Sequence, residues 1–218
     1  MIKGVIFDHD GTLVDSERKH YGLWVDLLAE FGVEFPEEEY KAHLAGVPTH
    51  FNAEYLVQRY NLPISAETLF NKRENATRAS LGLTACPLIP GARECVEWVV
   101  ARGLQTAIAT GASLAEVKPT LEQHELGRYF AIVASRDQVA RAKPAPDVYQ
   151  YALDQLGLNA DECIAIEDSA TGLTSALACG LECIVVENDY SKGHDFTGAA
   201  AVFEDMSAAQ RWLDTRIL

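Results

Sequence analysis

Four short stretches of this chain carry residue types suited to moving a phosphoryl group. In the first, Asp8 and Asp10 stand two residues apart, directly after the apolar run Val5-Ile6-Phe7, and Gly11-Thr12 then turns the chain away. Carboxylates at the end of a buried strand are costly unless something binds them. A carboxylate at position 8 can attack phosphorus and form an aspartyl phosphate, which splits one hard step into two easier ones. Asp10 can give a proton to the leaving oxygen and later take one from water. Thr110 ends a second apolar run, Thr106 to Ala109, and its hydroxyl with the amides of Gly111 and Ala112 can hold phosphoryl oxygens. Lys143, stiffened by Pro144 and Pro146, can neutralise charge on the same group. Glu167 and Asp168 follow a third run, Ile164-Ala165-Ile166. These acids, facing Asp8 and Asp10, would repel one another without a cation. Hard oxygen donors beside a phosphate point to Mg2+. Asp8 and Asp168 are expected as side-chain ligands, the Asp10 carbonyl as a third, and Glu167 as a direct or water-mediated fourth.

Each of these residues has a plainer reading. Two aspartates can merely cap a turn. An EF-hand loop is excluded, because Leu13 stands where its glycine is required and Lys19 where its final glutamate is required. His9 lies between the aspartates; strand alternation directs its side chain away from both, as a structural imidazole. Thr110 or Ser113 can be an ordinary helix cap. A lysine is usually solvated, and Arg136 and Arg141 read as surface charges.

The elements that must place these residues follow from periodicity. Asp15 or Ser16 can cap a helix running to about Phe31, with Tyr21, Trp24, Val25, Leu28 and Phe31 on one face. Further helices are expected near Glu37–His43, Asn52–Tyr60, and from Ser65 to about Leu81, with a loop from Ala45 to His50. Beyond Pro87, Pro90 and Gly91 the pattern changes to alternating helices and strands. Strands are expected at 105–109, 131–134, 163–166, 182–186 and 201–203. Helices are expected at 92–102, 114–125 (interrupted or restarted at Pro119), 146–156, 171–179 and from 207. Alternation of this kind implies an α/β fold, a parallel sheet with helices on both faces. The four-helix block is too long for an ordinary crossover and should be an insertion.

Composition narrows the function. The chain has 218 residues and a formal net charge of −14, which argues against nucleic acid or an anionic membrane as partner. Its five cysteines form no CxxC pair, consistent with reduced thiols in a cytoplasmic protein. The amino terminus lacks a signal core, and no apolar run reaches the ~20 residues of a membrane span.

Read together, Asp8-His9-Asp10-Gly11-Thr12-Leu13-Val14-Asp15-Ser16, Thr110, Lys143 in KPAPDVY and Glu167-Asp168 before SATG resemble the four ordered motifs of the haloacid dehalogenase superfamily. Within it the chain is most similar to the branch of β-phosphoglucomutase and small sugar-phosphate phosphatases. The resemblance covers most of the core. It implies a Rossmann-like catalytic core, residues 1–15 and 88–218, with a helical cap domain and its linkers at 16–87. The specificity loop of the family corresponds to Gly46–His50, which makes Thr49 and His50, with His20, the expected substrate-facing cap residues. His9 departs from the apolar or aromatic residue usual at its position.

The function expected on these grounds is a Mg2+-dependent phosphatase acting on a small phosphorylated metabolite, a sugar or polyol phosphate, as a monomer. A phosphomutase is the nearest alternative. Against it, the loop Gly46-Val47-Pro48-Thr49 lacks the arginine that sugar-phosphate mutases of this branch place there, and Gly111-Ala112-Ser113-Leu114 lacks their lysine and asparagine. Lys72 or Arg73 could substitute from a neighbouring helix. Dehalogenases of this superfamily lack a counterpart of Asp10, and neither Lys41 nor Lys72 has the setting of a phosphonate-cleaving lysine. A different class, the phosphoacceptor signalling module, shares the aspartate, threonine and lysine. It lacks the helical insertion, and its aspartate is not on the first strand.

Overall fold

The computed structural model describes residues 1–80 and 83–217. Six strands, β1 (Gly4–Phe7), β2 (Gln105–Ala109), β3 (Ile132–Ala134), β4 (Cys163–Glu167), β5 (Glu182–Val186) and β6 (Ala201–Phe203), form one sheet in the order β3-β2-β1-β4-β5-β6. Every pairing is parallel. β1 is central because it is buried on both faces: Val5 and Phe7 enter one apolar cluster and Ile6 the other. The first cluster is closed by α5 (Ala92–Ala101), α6 (Leu114–Gln123) and α9 (Met206–Arg216), the second by α7 (Asp147–Leu156) and α8 (Ala170–Ala178). The chain runs outward from β1 through β2 to β3, then returns to β4 on the other side of β1. Ligands of such sheets sit outside the carboxyl ends of the strands at that reversal, where Asp8, Thr110 and Asp168 lie.

Between β1 and α5 come α1 (Glu17–Ala29), α2 (Glu37–His43), α3 (Thr49–Tyr60) and α4 (Ala66–Ser80). Their buried residues, Trp24, Leu28, Tyr40, Leu56 and Leu69 among them, form a cluster of their own. The two connections to this helical insert run side by side. Asp15 N–H donates to Pro87 O at 2.8 Å and Ile89 N–H to Leu13 O at 3.0 Å.

Several helices differ from the sequence expectation. α3 begins at Thr49, not Asn52, so Thr49 and His50 occupy its first turn. α6 runs unbroken through Pro119. Its start is fixed by a capping box in which the Ser113 backbone N–H donates to the Glu116 carboxylate at 2.7 Å. α1 stops at Ala29. The expected end of the fourth helix at Leu81 lies outside the described residues. All five cysteines are free thiols. Among the described residues, no helix is long and apolar enough to cross a membrane.

Candidate active site

Asp8 extends β1 by one residue: its N–H donates to Ile166 O at 2.9 Å, which fixes its backbone against β4. Its side chain is buried, and Lys143 Nζ donates to Asp8 Oδ1 at 2.6 Å. The same ammonium donates to Glu167 Oε1 at 2.6 Å and to the Ala109 carbonyl at 2.9 Å, so all three of its protons are used. The loop from Ala142 to Pro146 thus delivers one cation to the ends of three strands. Burial pushes the Asp8 carboxyl up to about 7; Lys143 opposes this, and Glu167 adds to it. Burial alone would lower the Lys143 ammonium, but Asp8 and Glu167 outweigh it and hold it above its ordinary value.

Glu167 is fully buried at the end of β4. Beyond Lys143, its Oε1 accepts from Tyr149 Oη at 2.7 Å, and its Oε2 accepts from Asp168 N and Ser169 Oγ at 3.3 Å each. A Cβ on Gly172 would fall 2.0 Å from Oε2, so only glycine lets the first turn of α8 pass this carboxylate. Asp168 points back toward the first loop, where Asn188 Nδ2 donates to its Oδ2 at 2.8 Å. Gly11 has a φ of +79°, and a Cβ there would lie 2.0 Å from Asp168 Oδ2. The glycine of the first motif is therefore required twice, by its backbone conformation and by this approach.

Asp8, Glu167 and Asp168 each offer a carboxylate oxygen within 4.8 Å of the others, and all three are buried. Burial, Asp8, Glu167 and Glu17 raise the Asp168 carboxyl well above its usual range. Asp8 and Asp168, raised first by burial and then by neighbouring acids, belong to a donor set short of positive charge, which suits a hard divalent cation. Asp8 and Asp168 fit that role. Glu167 already accepts four hydrogen bonds, which favours a water-mediated part for it.

Asp10 departs from the sequence picture in its partners. Ser16 Oγ, read as a helix cap, makes no capping bond and instead donates to Asp10 Oδ1 at 2.6 Å. His9 does not point away: its Nδ1 lies 3.2 Å from Asp10 Oδ2 and its Nε2 3.0 Å from Thr120 Oγ1. Strand alternation fails here because β1 ends at Phe7 and the chain has already begun to turn. His20 Nε2 approaches Asp10 Oδ1 at 3.5 Å from α1. Burial acts to raise the Asp10 carboxyl, but His9 and His20 outweigh it and hold it well below the usual carboxylate range. Burial likewise acts to lower the His9 imidazole, and Asp10 with its neighbours raises it overall.

Thr110 Oγ1 accepts from Ala112 N at 3.0 Å. That contact occupies the Ala112 amide and leaves the hydroxyl proton of Thr110 and the Gly111 N–H for an acceptor. Ser113, not Thr110, caps α6.

These groups open onto a cavity of about 280 Å³ between the strand ends and the helical insert. Asp8, Asp10, Thr110, Gly111, Ala112, Lys143 and Asp168 line its floor, and His20, Trp24, Thr49, His50 and Arg73 line its roof. All the expected site residues except Glu167 therefore face one space, and Glu167 lies directly behind it. Arg136 is corrected: it lines the cavity and donates to Glu74 at 2.6 Å and to Glu116 at 3.1 Å, bridging the core to α4. Arg141 is exposed and pairs with Asp147, as expected of a surface charge. Ser16, Tyr149, Asn188 and Glu74 were not anticipated as partners, and no local signal marks them.

The haloacid dehalogenase-like hydrolase family model matches residues 2–180. The chain belongs to this family. It is 34% identical to protein CbbY of Rhodobacter capsulatus over 219 residues, covering 95% of each chain. It is 27% identical to the phosphorylated carbohydrates phosphatase of Thermotoga maritima, covering 93% of this chain and 91% of that one. Among solved structures, a variant of CbbY from Rhodobacter sphaeroides in complex with xylulose-1,5-bisphosphate superposes with a TM-score of 0.78 at 28% identity, covering 94% and 95% of the two chains. The expected fold, a Rossmann-like α/β hydrolase, is thus borne out by both the sheet and the family.

Proposed function

We propose that the protein is a Mg2+-dependent phosphatase that hydrolyses a small phosphorylated metabolite through an aspartyl phosphate on Asp8. The observation that carries this reading is the meeting of Asp8, Lys143, Asp10 and Thr110 at one cavity, with the Asp8 carboxylate anchored by a cation. Residues 1–15 and 88–218 form the catalytic core, and residues 16–87 a cap over it.

The Lys143 charge, with the Thr110 hydroxyl and the Gly111 amide as donors, draws the phosphoryl oxygens to the strand ends. Asp8 attacks phosphorus, and the ester oxygen leaves with a proton from Asp10. Asp10 then removes a proton from a water molecule, which attacks the acyl phosphate, releases inorganic phosphate and restores the Asp8 carboxylate. The His9 contact favours the Asp10 anion, which suits the second half-reaction, and His9 is the nearest store for the proton of the first. Bound Mg2+ would neutralise charge on the transferring group; Asp8, Asp168 and the Asp10 carbonyl would hold it. The roof helices exclude bulk water while the acyl phosphate exists.

Relatives acting on phosphorylated carbohydrates support a sugar or polyol phosphate as substrate. Hydrolysis is favoured over mutase chemistry because the stretch Gly46-Val47-Pro48-Thr49 holds no arginine, whereas sugar-phosphate mutases of this branch carry one in that loop. A cytoplasmic monomer completes the reading. The test is phosphate release from a panel of metabolite phosphates with Mg2+. Phosphorus NMR of β-glucose 1-phosphate and glucose 6-phosphate, with a bisphosphate primer, checks the alternative. Release of inorganic phosphate is expected, and interconversion without it would overturn the hydrolytic reading.

A further inference from the structure

The loop after β5 touches both the acid cluster at the strand ends and the helical insert above it. Asn188 Nδ2 donates to Asp168 Oδ2 at 2.8 Å and to the Gly11 carbonyl at 3.4 Å. Among the described residues, no other donor bonds the Asp168 carboxylate. The amide has one orientation available. Its Oδ1 accepts from the N–H groups of Tyr190 at 2.8 Å and Ser191 at 3.1 Å, which leaves Nδ2 for Asp168. The Asn188 N–H in turn donates to Ser191 Oγ at 3.0 Å, and Ser191 is buried. The aim of the Asn188 amide is therefore set by the turn 188–191.

Tyr190 is in the middle of that turn, and its side chain leaves the core. Its hydroxyl donates to Glu37 Oε1 at 2.9 Å, at the start of α2. Its ring meets Tyr40 edge-on, with centroids 5.9 Å apart and planes at 78°, and Lys41 Nζ lies 5.1 Å from its centroid. It packs against the apolar cluster of the insert, although it follows the fifth strand of the sheet. A second cavity of about 280 Å³ opens here, with Gly11, Asn188 and Tyr190 on one side and Glu37 and Lys41 on the other. The turn thus bridges a gap, with one end on Asp168 and the other on α2. The plain reading is that Tyr190 only fills the edge of the insert.

We infer that Tyr190 is a positioning residue: docked on α2, it holds the 188–191 turn so that the Asn188 amide fixes Asp168 for the metal, and docking of the insert and Mg2+ affinity therefore reinforce each other. The inference rests on the phosphatase reading, which places Mg2+ at Asp168, and adds a link which that reading does not contain. A group that hydrogen-bonds a metal ligand fixes the ligand's orientation, and its loss costs about 10- to 100-fold in metal affinity. A link through Tyr190 must run both ways, since binding free energies couple reciprocally.

The experiment measures the Mg2+ dissociation constant by calorimetry for the wild-type protein, Asn188→Ala, Tyr190→Ala and the double variant, with melting temperatures alongside. Asn188→Ala is expected to weaken Mg2+ binding about tenfold or more. Tyr190→Ala is expected to weaken it about threefold or more, although the ring lies on the far side of the turn from Asp168. The double variant should bind no more weakly than Asn188→Ala, because Tyr190 acts only through Asn188. In the reverse direction, Mg2+ should slow amide hydrogen exchange in α2 of the wild type and not in Tyr190→Ala. Wild-type Mg2+ affinity in Tyr190→Ala, whatever its melting temperature, would overturn the inference. So would a Tyr190 effect that multiplies in full onto that of Asn188→Ala. The exchange measurement on the wild type stands even if a variant does not fold: exchange in α2 unchanged by Mg2+ would overturn the inference as well. Mg2+ binding by the wild type that Tyr190→Ala leaves intact defeats only this inference, whereas no Mg2+ binding by any form defeats the metal assignment with it.

Discussion

Lys143 Nζ sits 2.6 Å from Asp8 Oδ1, across 135 residues of sequence and inside a site where both side chains are buried. The pair, completed by Glu167, is the electrostatic centre of the molecule. It brings two acids within reach of one ammonium and leaves a third, Asp168, beside them.

Removing that ammonium should therefore damage both fold and activity. Lys143→Met leaves Asp8 and Glu167 as uncompensated buried acids, and breaking a buried pair costs about 3–5 kcal/mol, less what Asp8 recovers by taking up a proton. A lowered melting temperature together with loss of phosphate release is the expected result. Lys143→Arg should not restore full activity, because the larger planar head cannot reproduce three bonds made from one nitrogen. Thermal melts and phosphate release check both statements.

The ion-free protein should lose stability as the pH rises from about 4 to about 7. Asp8 has a folded value of about 7 against an ordinary value near 3.8, so over that window the folded chain holds a proton that the unfolded chain has released. Asp168, also raised, acts in the same direction. Asp10 acts oppositely: its depressed value adds stability above its ordinary range that is lost only as the pH falls below it. Mg2+ bound as proposed would compete with the protons on Asp8 and Asp168, so its stabilising effect should be larger at pH 8 than at pH 5. Asp168→Ala should remove most of that effect while changing the ion-free melting temperature much less. Equal Mg2+-induced shifts at the two pH values, or phosphate release unchanged by thorough chelation, would contradict the metal assignment.

His9 and Asp10 form the contact that sequence periodicity misplaced. His9→Leu removes a charged hydrogen bond and should raise the Asp10 carboxyl toward its ordinary value. The expected cost is about 10- to 100-fold in kcat, from the 1.5–3 kcal/mol of such a bond, with the acid limb of the rate profile moved to higher pH. Asp10→Asn should cost more, roughly 10²–10⁴-fold, as the loss of a general acid and base. A His9→Leu profile that overlays the wild type would show the imidazole to be packing only.

Much of this arrangement was legible in the sequence because strand ends are. Val5 to Phe7 and Cys163 to Ile166 are short apolar runs that stop at acids, and a parallel sheet places such stops side by side. The helix cap offered by Ser113 also holds, completed in the structure by the Glu116 carboxylate. Other features had no local signal. Asn188 reaches Asp168 and Tyr149 reaches Glu167 only because β5 and α7 pack where they do. Arg136 looks like any surface arginine until α4 brings Glu74 to it. α3 starts early because the Pro48 carbonyl already accepts from Asn52 N–H at 3.2 Å, which makes Thr49 the first helical residue.

The central claim is that Asp8 carries the phosphoryl group, and trapping that intermediate tests it most directly. Substrate labelled in its phosphoryl group is mixed with the Mg2+-loaded protein, and the reaction is quenched in acid within one turnover. Borohydride then reduces any acyl phosphate to the alcohol, and the peptide containing residue 8 is read by mass. The account expects label on the protein within that turnover and homoserine at position 8, with neither in Asp8→Asn, which should fold normally and release no phosphate. Near-native turnover by Asp8→Asn, or label fixed at another residue, would contradict it.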